Sequence, residues 1–144
     1  NDINGREIIK IINKFVKNKK NAAAFPSLGQ TLYISILKRV DCILGNSSSG
    51  IFEAPTLKIP TINIGDRQKG RLFTKSIINC KANKKQILNS IKKIYSNGFR
   101  KKIKSVKNYY EKNNTSMKIY NIIIKAKLPN FIKKEFKTYE WNFY

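Results

Sequence analysis

Residues 45–71 contain the side chains and glycines from which an anion-binding site can be built. The segment reads GNSSSGIFEAPTLKIPTINIGDRQKGR and holds four of the seven glycines of the 144-residue chain. Its serine-rich loop, 45–49, offers backbone N–H groups and small hydroxyl donors at the start of a helix, which together attract an anion. A phosphate or diphosphate fits such a loop. The residues predicted to form this part of the site are Ser47, Ser48, Ser49 and Gly50.

Two charged side chains extend the predicted site. Glu53 stands about one helical turn beyond the serine-rich loop, and a carboxylate accepts two hydroxyl hydrogen bonds at once, as a ribose diol offers them. Arg67 lies in a second loop, 65–71, where its guanidinium adds positive charge and planar hydrogen bonding. The residues alone leave one alternative open, which is a serine-rich turn that only caps a helix.

Both loops must lie at one edge of a sheet for these groups to meet. Short β-branched runs at 41–44, 61–64 and 76–80 predict strands, and stretches with helical periodicity occur between them. This alternation favours an α/β fold, with a Rossmann-like parallel sheet flanked by helices. The loops after neighbouring parallel strands emerge together at the carboxyl ends, where open α/β sheets bind ligands.

The same patterns predict the elements outside the motif. Residues 6–17 predict an amphipathic helix, with Asn4 as its N-cap and Glu7 three residues further on. The other predictions are a short strand at 22–25 and helices at 31–40, about 50–57, 87–95 with Asn83 as cap, 99–106 and 115–126. We assign the apolar residues of all these elements to the core.

The chain is strongly basic, with 30 Lys and Arg against 8 Asp and Glu and a formal net charge of +22. Such a charge is typical of proteins that bind nucleic acid or an anionic membrane. However, 25 of the basic residues are lysine, whereas phosphate- and base-reading surfaces favour arginine. Lys, Ile and Asn fill 65 of the 144 positions, as an AT-rich genome produces regardless of function. We therefore expect neither nucleic acid nor a membrane as partner, and a basic nucleic-acid-binding module in 73–144 remains the alternative.

The composition excludes several kinds of site. The chain has no histidine, so neither Ser-His-Asp catalysis nor a His-based zinc site can form from its own residues. Its two cysteines lack metal-ligand spacing and are too few for a disulfide scaffold, which favours a reducing, cytoplasmic setting. No apolar stretch of the sequence is long enough to cross a bilayer. We predict no metal site and no cofactor.

The two motifs together are far more specific than either alone. GNSSSGIFEAP followed by IPTINIGDRQKGR resembles the hydrolysing UDP-N-acetylglucosamine 2-epimerases, especially their sialic-acid-pathway branch. The likeness extends through 76–80 and weakly into 108–118, where Asn-Tyr-Tyr-Glu replaces the Asn-Pro-Tyr-Gly-type loop of the family. It covers roughly two thirds of the chain, and its motif region is highly specific.

The resemblance implies a GT-B architecture, in which two Rossmann-like domains hold a nucleotide sugar in the cleft between them. It assigns Ser47 and Ser48 to the diphosphate, Ser49 and Gly50 to the turn, Glu53 to the ribose hydroxyls and Arg67 to the nucleotide. Tyr33 occupies a position where an aromatic ring can stack on uracil. The other interpretation of Tyr33 is a helix residue packed in the core.

The implied reaction eliminates UDP from UDP-N-acetylglucosamine across C1–C2, after which water adds to the glycal and gives N-acetylmannosamine. Acid and base carboxylates for such steps lie mainly in the N-terminal domain of the family, so no catalytic residue is assigned to this chain. We expect residues 1–128 to be most of the UDP-binding domain, without its first strands and without the N-terminal domain, and to be inactive alone. The basic, aromatic residues 129–144 are predicted to be a tail or a docking helix.

The complete protein is expected to be a homo-oligomer, as is usual in the family that the chain resembles. One further alternative is a truncated, non-functional gene product in which the motif is a relic. An N-terminal domain encoded directly upstream would remove that alternative.

Overall fold

The computed structural model describes residues 4–127. They belong to two compact units, the first ending at Glu111 and the second beginning at Lys112. The predicted tail, 129–144, lies outside the described residues. In the part of the chain that is described, no helix has both the length and the apolar character needed to cross a membrane.

Three parallel strands form the sheet of the first unit. In spatial order they are β1 (Ile43–Gly45), β2 (Thr61–Ile64) and β3 (Ile77–Cys80). Leu44 pairs with Ile62, and Ile62 pairs with Ile78, so the carboxyl ends of all three strands lie at one edge. The predicted α/β fold with a parallel sheet is confirmed; β2 and β3 lie within the runs that predicted them, and β1 extends one residue beyond its run.

Helices precede, follow and connect the strands. Those within residues 4–127 are α1 (Gly5–Lys17), α2 (Gly29–Leu37), α3 (Ser49–Phe52), α4 (Lys84–Ile94), α5 (Asn97–Lys104) and α6 (Thr115–Lys125). Helix α4 begins at the predicted cap because Asn83 has an extended backbone and its side-chain oxygen accepts from the N–H groups of Lys85 and Gln86. The predicted helices α1, α2, α4, α5 and α6 are confirmed, with ends shifted by a few residues.

The two faces of the sheet differ in polarity. Successive side chains of a strand point to opposite faces, so Ile62 and Ile64 share one face while Thr61 and Asn63 share the other. The apolar face packs on α4 and α5 and forms the core. The buried members of that core cluster are Ile62, Ile94, Phe99 and Ile103. Thr61 and Asn63 are buried as well, and the candidate site is built around the polar face that they occupy.

One predicted element is wrong, and another is shorter than predicted. Residues 22–25 are irregular instead of forming a strand, since three consecutive alanines have weak β propensity and none of the described strands pairs with them. The helix predicted for about 50–57 is only the single helical turn α3, and non-helical turns follow it as far as Lys58. Pro55 explains the early end, because it lacks an N–H group and disfavours helical backbone at the residue before it.

The capping box predicted for α1 is also wrong. Asn4 occupies the cap position, but its backbone is not extended and its side chain makes no capping hydrogen bond. Glu7 instead accepts a hydrogen bond from Lys10, one turn further along α1, at 2.9 Å. The periodic pattern alone therefore located this helix.

The expectation that the apolar helix faces belong to the core fails for two helices. Ile8, Ile11, Ile12 and Phe15 of α1 are between 43% and 67% exposed. In the second unit, the apolar side chains of α6 are exposed throughout the helix. Periodicity is a local property, whereas burial requires a partner surface, and no such surface covers these faces within residues 4–127.

Candidate functional site

The serine loop, residues 45–49, begins at the last residue of β1 and ends at the first residue of α3. Its internal hydrogen bonds fix the turn: the Ser47 hydroxyl accepts from the Ser49 N–H at 3.3 Å, and the Ser48 carbonyl accepts from Ile51 and Phe52 at 2.9 and 3.0 Å. The N–H groups of Ser47 and Ser48 have no acceptor within the described part of the chain. Unpaired backbone donors of this kind bind anions.

Gly50 fixes the distance between α3 and the sheet. A Cβ atom at this buried position would lie 2.4 Å from the Cγ2 atom of Thr61 on β2, which no side chain tolerates. The Thr61 hydroxyl donates to the Gly50 carbonyl at 2.9 Å, so the close approach is also hydrogen-bonded. Glycine is therefore needed at this position for its size, and the serine loop is held against the polar face of the sheet.

Tyr33, on α2, lies beside the serine loop. It is half-buried, and its hydroxyl forms a hydrogen bond with the hydroxyl of Ser49. The phenol thus links α2 to the first residue of α3, 16 positions along the chain. Its stacking on uracil stays a prediction, while its contact with a predicted site residue is a feature of the structure.

Gln68 connects the second loop to the first. Its side chain is only 3% exposed, and its Nε2 atom donates to the carbonyl of Asn46 at 2.6 Å. Its Oε1 atom is buried and has no hydrogen-bond partner within residues 4–127. The loop that follows β2 is therefore held against the serine loop by one buried amide, which the sequence analysis did not single out.

The two charged residues of the predicted site are both exposed. Glu53 directly follows α3, its N–H donates to the Ser49 carbonyl at 3.0 Å, and its carboxylate makes no hydrogen bond within the described residues. Arg67 immediately precedes Gln68 and therefore belongs to the loop that contacts the serine loop. Both thus stand in segments that adjoin the serine loop, with their charged groups accessible to a ligand.

The electrostatics of this site differ from the prediction in one respect. The helix predicted for about 50–57 would add its dipole to the loop amides, but α3 has only four residues, and a dipole sums over aligned peptides. The unpaired loop N–H groups and the hydroxyls must therefore provide most of the attraction for an anion. A cleft of about 570 Å³ opens at the same edge of the sheet, at the ends of β2 and β3, lined by Asp66, Asn79, Lys81 and Gln86 among others.

The structural residues of the site carried little signal in the sequence. Gln68 stands between charged residues in a polar loop, so nothing indicated its burial, and Thr61 looked like an ordinary strand residue. The packing of Gly50 against Thr61 has no local pattern because the two lie 11 residues apart. Within residues 4–127, no group of three or more Asp, Glu or Cys side chains is placed to hold a metal ion.

Comparison with known proteins agrees with the motif. Residues 1–124 match the family model described as UDP-N-acetylglucosamine 2-epimerase. Over 83 residues, 57% of this chain and 22% of the relative, the chain is 48% identical to the GDP/UDP-N,N'-diacetylbacillosamine 2-epimerase (hydrolyzing) of Campylobacter jejuni. It is 34% identical over 94% of its length to polysialic acid biosynthesis protein P7 of Escherichia coli, and 36% identical over 68% to a UDP-N-acetylglucosamine 2-epimerase of Neisseria meningitidis.

The chain spans between 22% and 34% of the length of these three curated relatives. The family model covers the serine loop, the Gly50–Thr61 contact and the loop that carries Arg67 and Gln68. The chain therefore belongs to the UDP-N-acetylglucosamine 2-epimerase family.

Proposed function

We propose that this chain forms the UDP-binding part of a hydrolysing UDP-N-acetylglucosamine 2-epimerase, within the C-terminal half of a GT-B fold. The serine loop binds the diphosphate through the N–H groups of Ser47 and Ser48, and Glu53 accepts hydrogen bonds from the ribose hydroxyls. Arg67 contacts the nucleotide from the neighbouring loop. The observation that carries this proposal is the pair of unpaired N–H groups in a loop braced from two sides, by Gly50 on Thr61 and by Gln68 on Asn46.

In this proposal the chain holds the leaving group of the reaction. Elimination of UDP across C1–C2 builds negative charge on the diphosphate, and preorganised N–H donors stabilise charge at the position where it develops. The glycal is then hydrated to N-acetylmannosamine. We assign no catalytic residue within this chain, so the acid and base groups come from an N-terminal domain, and the complete protein works as a homo-oligomer.

The identity of the sugar in the nucleotide sugar is proposed from the names of the relatives. The Escherichia coli relative is named for polysialic acid biosynthesis, which supports a role in the sialic-acid pathway. The Campylobacter relative is named for a diacetylbacillosamine nucleotide instead. Incubating the complete protein with each nucleotide sugar and identifying the released sugar separates the two, and N-acetylmannosamine is the product that we expect.

The nucleotide site is tested by titrating UDP into the chain and following backbone amide signals by NMR. We expect saturable shifts centred on Ser47, Ser48 and Glu53. Changing Glu53 to Ala should weaken UDP binding by about tenfold or more, since hydrogen bonds to a charged group are among the stronger ones. Glu7→Ala removes an exposed carboxylate from α1 and serves as the matched control, with unchanged affinity expected.

Two results would count against the proposal. Binding of equal strength in the Glu53→Ala variant would remove the ribose assignment. A folded wild-type chain that shows no shift at the serine loop, even at millimolar UDP, would remove the nucleotide site from this chain. Chemical-shift dispersion in the absence of UDP establishes beforehand that the chain is folded.

A further inference from the structure

A segment far along the chain, 108–111, packs against the end of α3. The side-chain amide of Asn108 donates both of its hydrogens, to the carbonyl of Phe52 at 2.7 Å and to the hydroxyl of Thr56 at 2.8 Å. Its oxygen accepts from the N–H of Tyr110 at 3.0 Å, so both donors and the acceptor atom of the amide are engaged. Glu111 adds a fourth contact by accepting from Thr56 at 3.1 Å.

Tyr110 extends this contact to the loop after β2. Its ring meets the ring of Phe52 edge to face, with centroids 4.6 Å apart, and its hydroxyl accepts from the N–H of Leu72 at 3.0 Å. The guanidinium of Arg71 lies over the Phe52 ring, 4.9 Å from its centroid. One tyrosine therefore joins the end of α3 to the loop that also carries Arg67.

These contacts converge on the residue next to Glu53. Helix α3 ends at Phe52, and the backbone beyond it consists of turns, with Lys58 in the left-handed region at φ 59°. No strand ladder and no continuing helix runs there, and the backbone is held by turn hydrogen bonds such as that from the Ala54 N–H to the Ser49 carbonyl at 3.1 Å. The hydrogen bond from Asn108 to the Phe52 carbonyl, together with the bond from the Glu53 N–H to Ser49, fixes the peptide on both sides of this junction.

We propose that Asn108 and Tyr110 are positioning residues, which aim the carboxylate of Glu53 at the ribose without touching the nucleotide themselves. This inference rests on the proposed function. The side-chain hydrogen bonds to the serine loop come from Gln68 and Tyr33, whereas Asn108 holds the carbonyl of Phe52, next to Glu53. Loss of Asn108 should therefore weaken recognition of the ribose and spare recognition of the diphosphate.

The test compares UDP with inorganic pyrophosphate as probes, at constant ionic strength, by amide shifts at Ser47 and Ser48. Asn108→Asp keeps the shape of the side chain but replaces two donors by a carboxylate facing a carbonyl. We expect its UDP affinity to fall by about tenfold. Its pyrophosphate affinity should stay within about twofold of the wild type, because Asn108 makes none of the hydrogen bonds that hold the serine loop.

A double-mutant cycle distinguishes positioning from general damage. Because Asn108 acts through Glu53, the variant carrying both Asn108→Asp and Glu53→Ala should bind UDP no more weakly than Glu53→Ala alone. Tyr110→Phe is the milder variant, which keeps the ring contact and loses only the acceptor for Leu72. It should lose about two- to fivefold in UDP affinity. Tyr109→Phe changes a neighbouring exposed tyrosine and is the matched control, with no change expected.

The outcomes separate this inference from the proposal on which it rests. Wild-type chain that fails to bind UDP overturns the nucleotide site and, with it, the role of Asn108. If the wild-type chain binds UDP but the variants lose affinity for UDP and pyrophosphate equally, only the positioning role is overturned. The same conclusion follows if the losses of Asn108→Asp and Glu53→Ala add in the double-mutant cycle. If Asn108→Asp unfolds the chain, the comparison of Tyr110→Phe with Tyr109→Phe decides the question alone.

Discussion

The two edges of the sheet both carry polar and basic groups, but they are built differently. At the carboxyl edge, the serine loop presents backbone N–H groups that have no acceptor within residues 4–127. At the amino edge, a cleft of about 330 Å³ is surrounded by charged side chains from several elements. The charged and polar members of its lining are Asp41, Lys58, Tyr95, Arg100 and Lys104.

At the amino edge, four of these five side chains have a partner within the protein. The Tyr95 hydroxyl donates to Asp41 at 3.1 Å, the Arg100 guanidinium lies 5.2 Å from the centre of the Tyr95 ring, and Lys58 donates to the carbonyl of Val106. Positive charge is abundant in a chain of net charge +22, so it does not mark a ligand site by itself. The serine loop offers backbone donors that have no acceptor within residues 4–127, which is why we propose the anion site at the carboxyl edge.

The largest effect on UDP binding is expected from Gly50→Ala, which disturbs the carboxyl edge of the sheet only through packing. The new methyl group would meet the Cγ2 atom of Thr61 at 2.4 Å, and inserting atoms into packed space costs about 1–3 kcal/mol. The serine loop must then move away from β2, and we expect UDP binding to be lost. Thermal unfolding and the UDP titration measure the two consequences separately.

A second substitution shows whether packing is the cause. Thr61→Ser removes Cγ2 and keeps the hydroxyl that donates to the Gly50 carbonyl, so it should restore part of the stability and the binding of Gly50→Ala. The remaining contacts of the methyl group, at 3.1 and 3.3 Å, are tight but require only small shifts. No recovery at all in the double variant would mean that Gly50 matters for another reason.

The next largest effect is expected from Gln68→Met, which removes the amide that joins the two loops while keeping a side chain of similar length. UDP affinity should fall by about fivefold because the serine loop loses its brace at Asn46. Stability should change by less than about 1 kcal/mol, since the buried unpaired Oε1 atom is removed with the bond. Gln30→Met, at an exposed position of α2, is the matched control, and an equal loss of affinity there would contradict the brace.

The parts of this structure that sequence predicted are those with a local pattern. Strand β2 and helix α4 follow from a β-branched run and from a period with a cap at Asn83, each within a few consecutive residues. The supports of the site have no such pattern: Gln68 reaches Asn46 across 22 positions, and Asn108 reaches Phe52 across 56. Sequence therefore predicted residues for a ligand site, and only the fold reveals the side chains that hold those residues in place.

The amino edge is tested by removing its charge. We expect Arg100→Gln with Lys104→Gln to change UDP affinity by less than about twofold at 150 mM salt, because exposed charges distant from the ligand are screened. Lys101→Gln with Lys102→Gln removes the same charge from exposed positions of α5 and is the matched control. A loss specific to the first pair would place the anion at the amino edge. Steeply salt-dependent binding of an oligonucleotide, lost in both pairs, would favour the nucleic-acid alternative.

The smallest effect concerns the contact between Tyr95 and Asp41. The hydrogen bond to Asp41 and the negative charge of that carboxylate raise the pKa of Tyr95 above its ordinary value, and Arg100 opposes the shift only in part. Burial and the same carboxylate raise the pKa of the Cys42 thiol. Asp41→Asn removes the charge, so both pKa values should fall, and NMR of labelled tyrosine would measure the first directly.

The sign of the stability effect follows from the direction of the Tyr95 shift. A raised pKa means that folding favours the neutral phenol, so its contribution is complete below the unfolded value of about 10 and disappears as the pH rises through the folded value. The stability difference between wild type and Asp41→Asn should therefore shrink above about pH 10. UDP affinity at neutral pH should be the same in both, because the contact lies at the opposite edge from the serine loop. A change in that affinity would show that the two edges are coupled through the sheet, and the contrast between them would no longer hold.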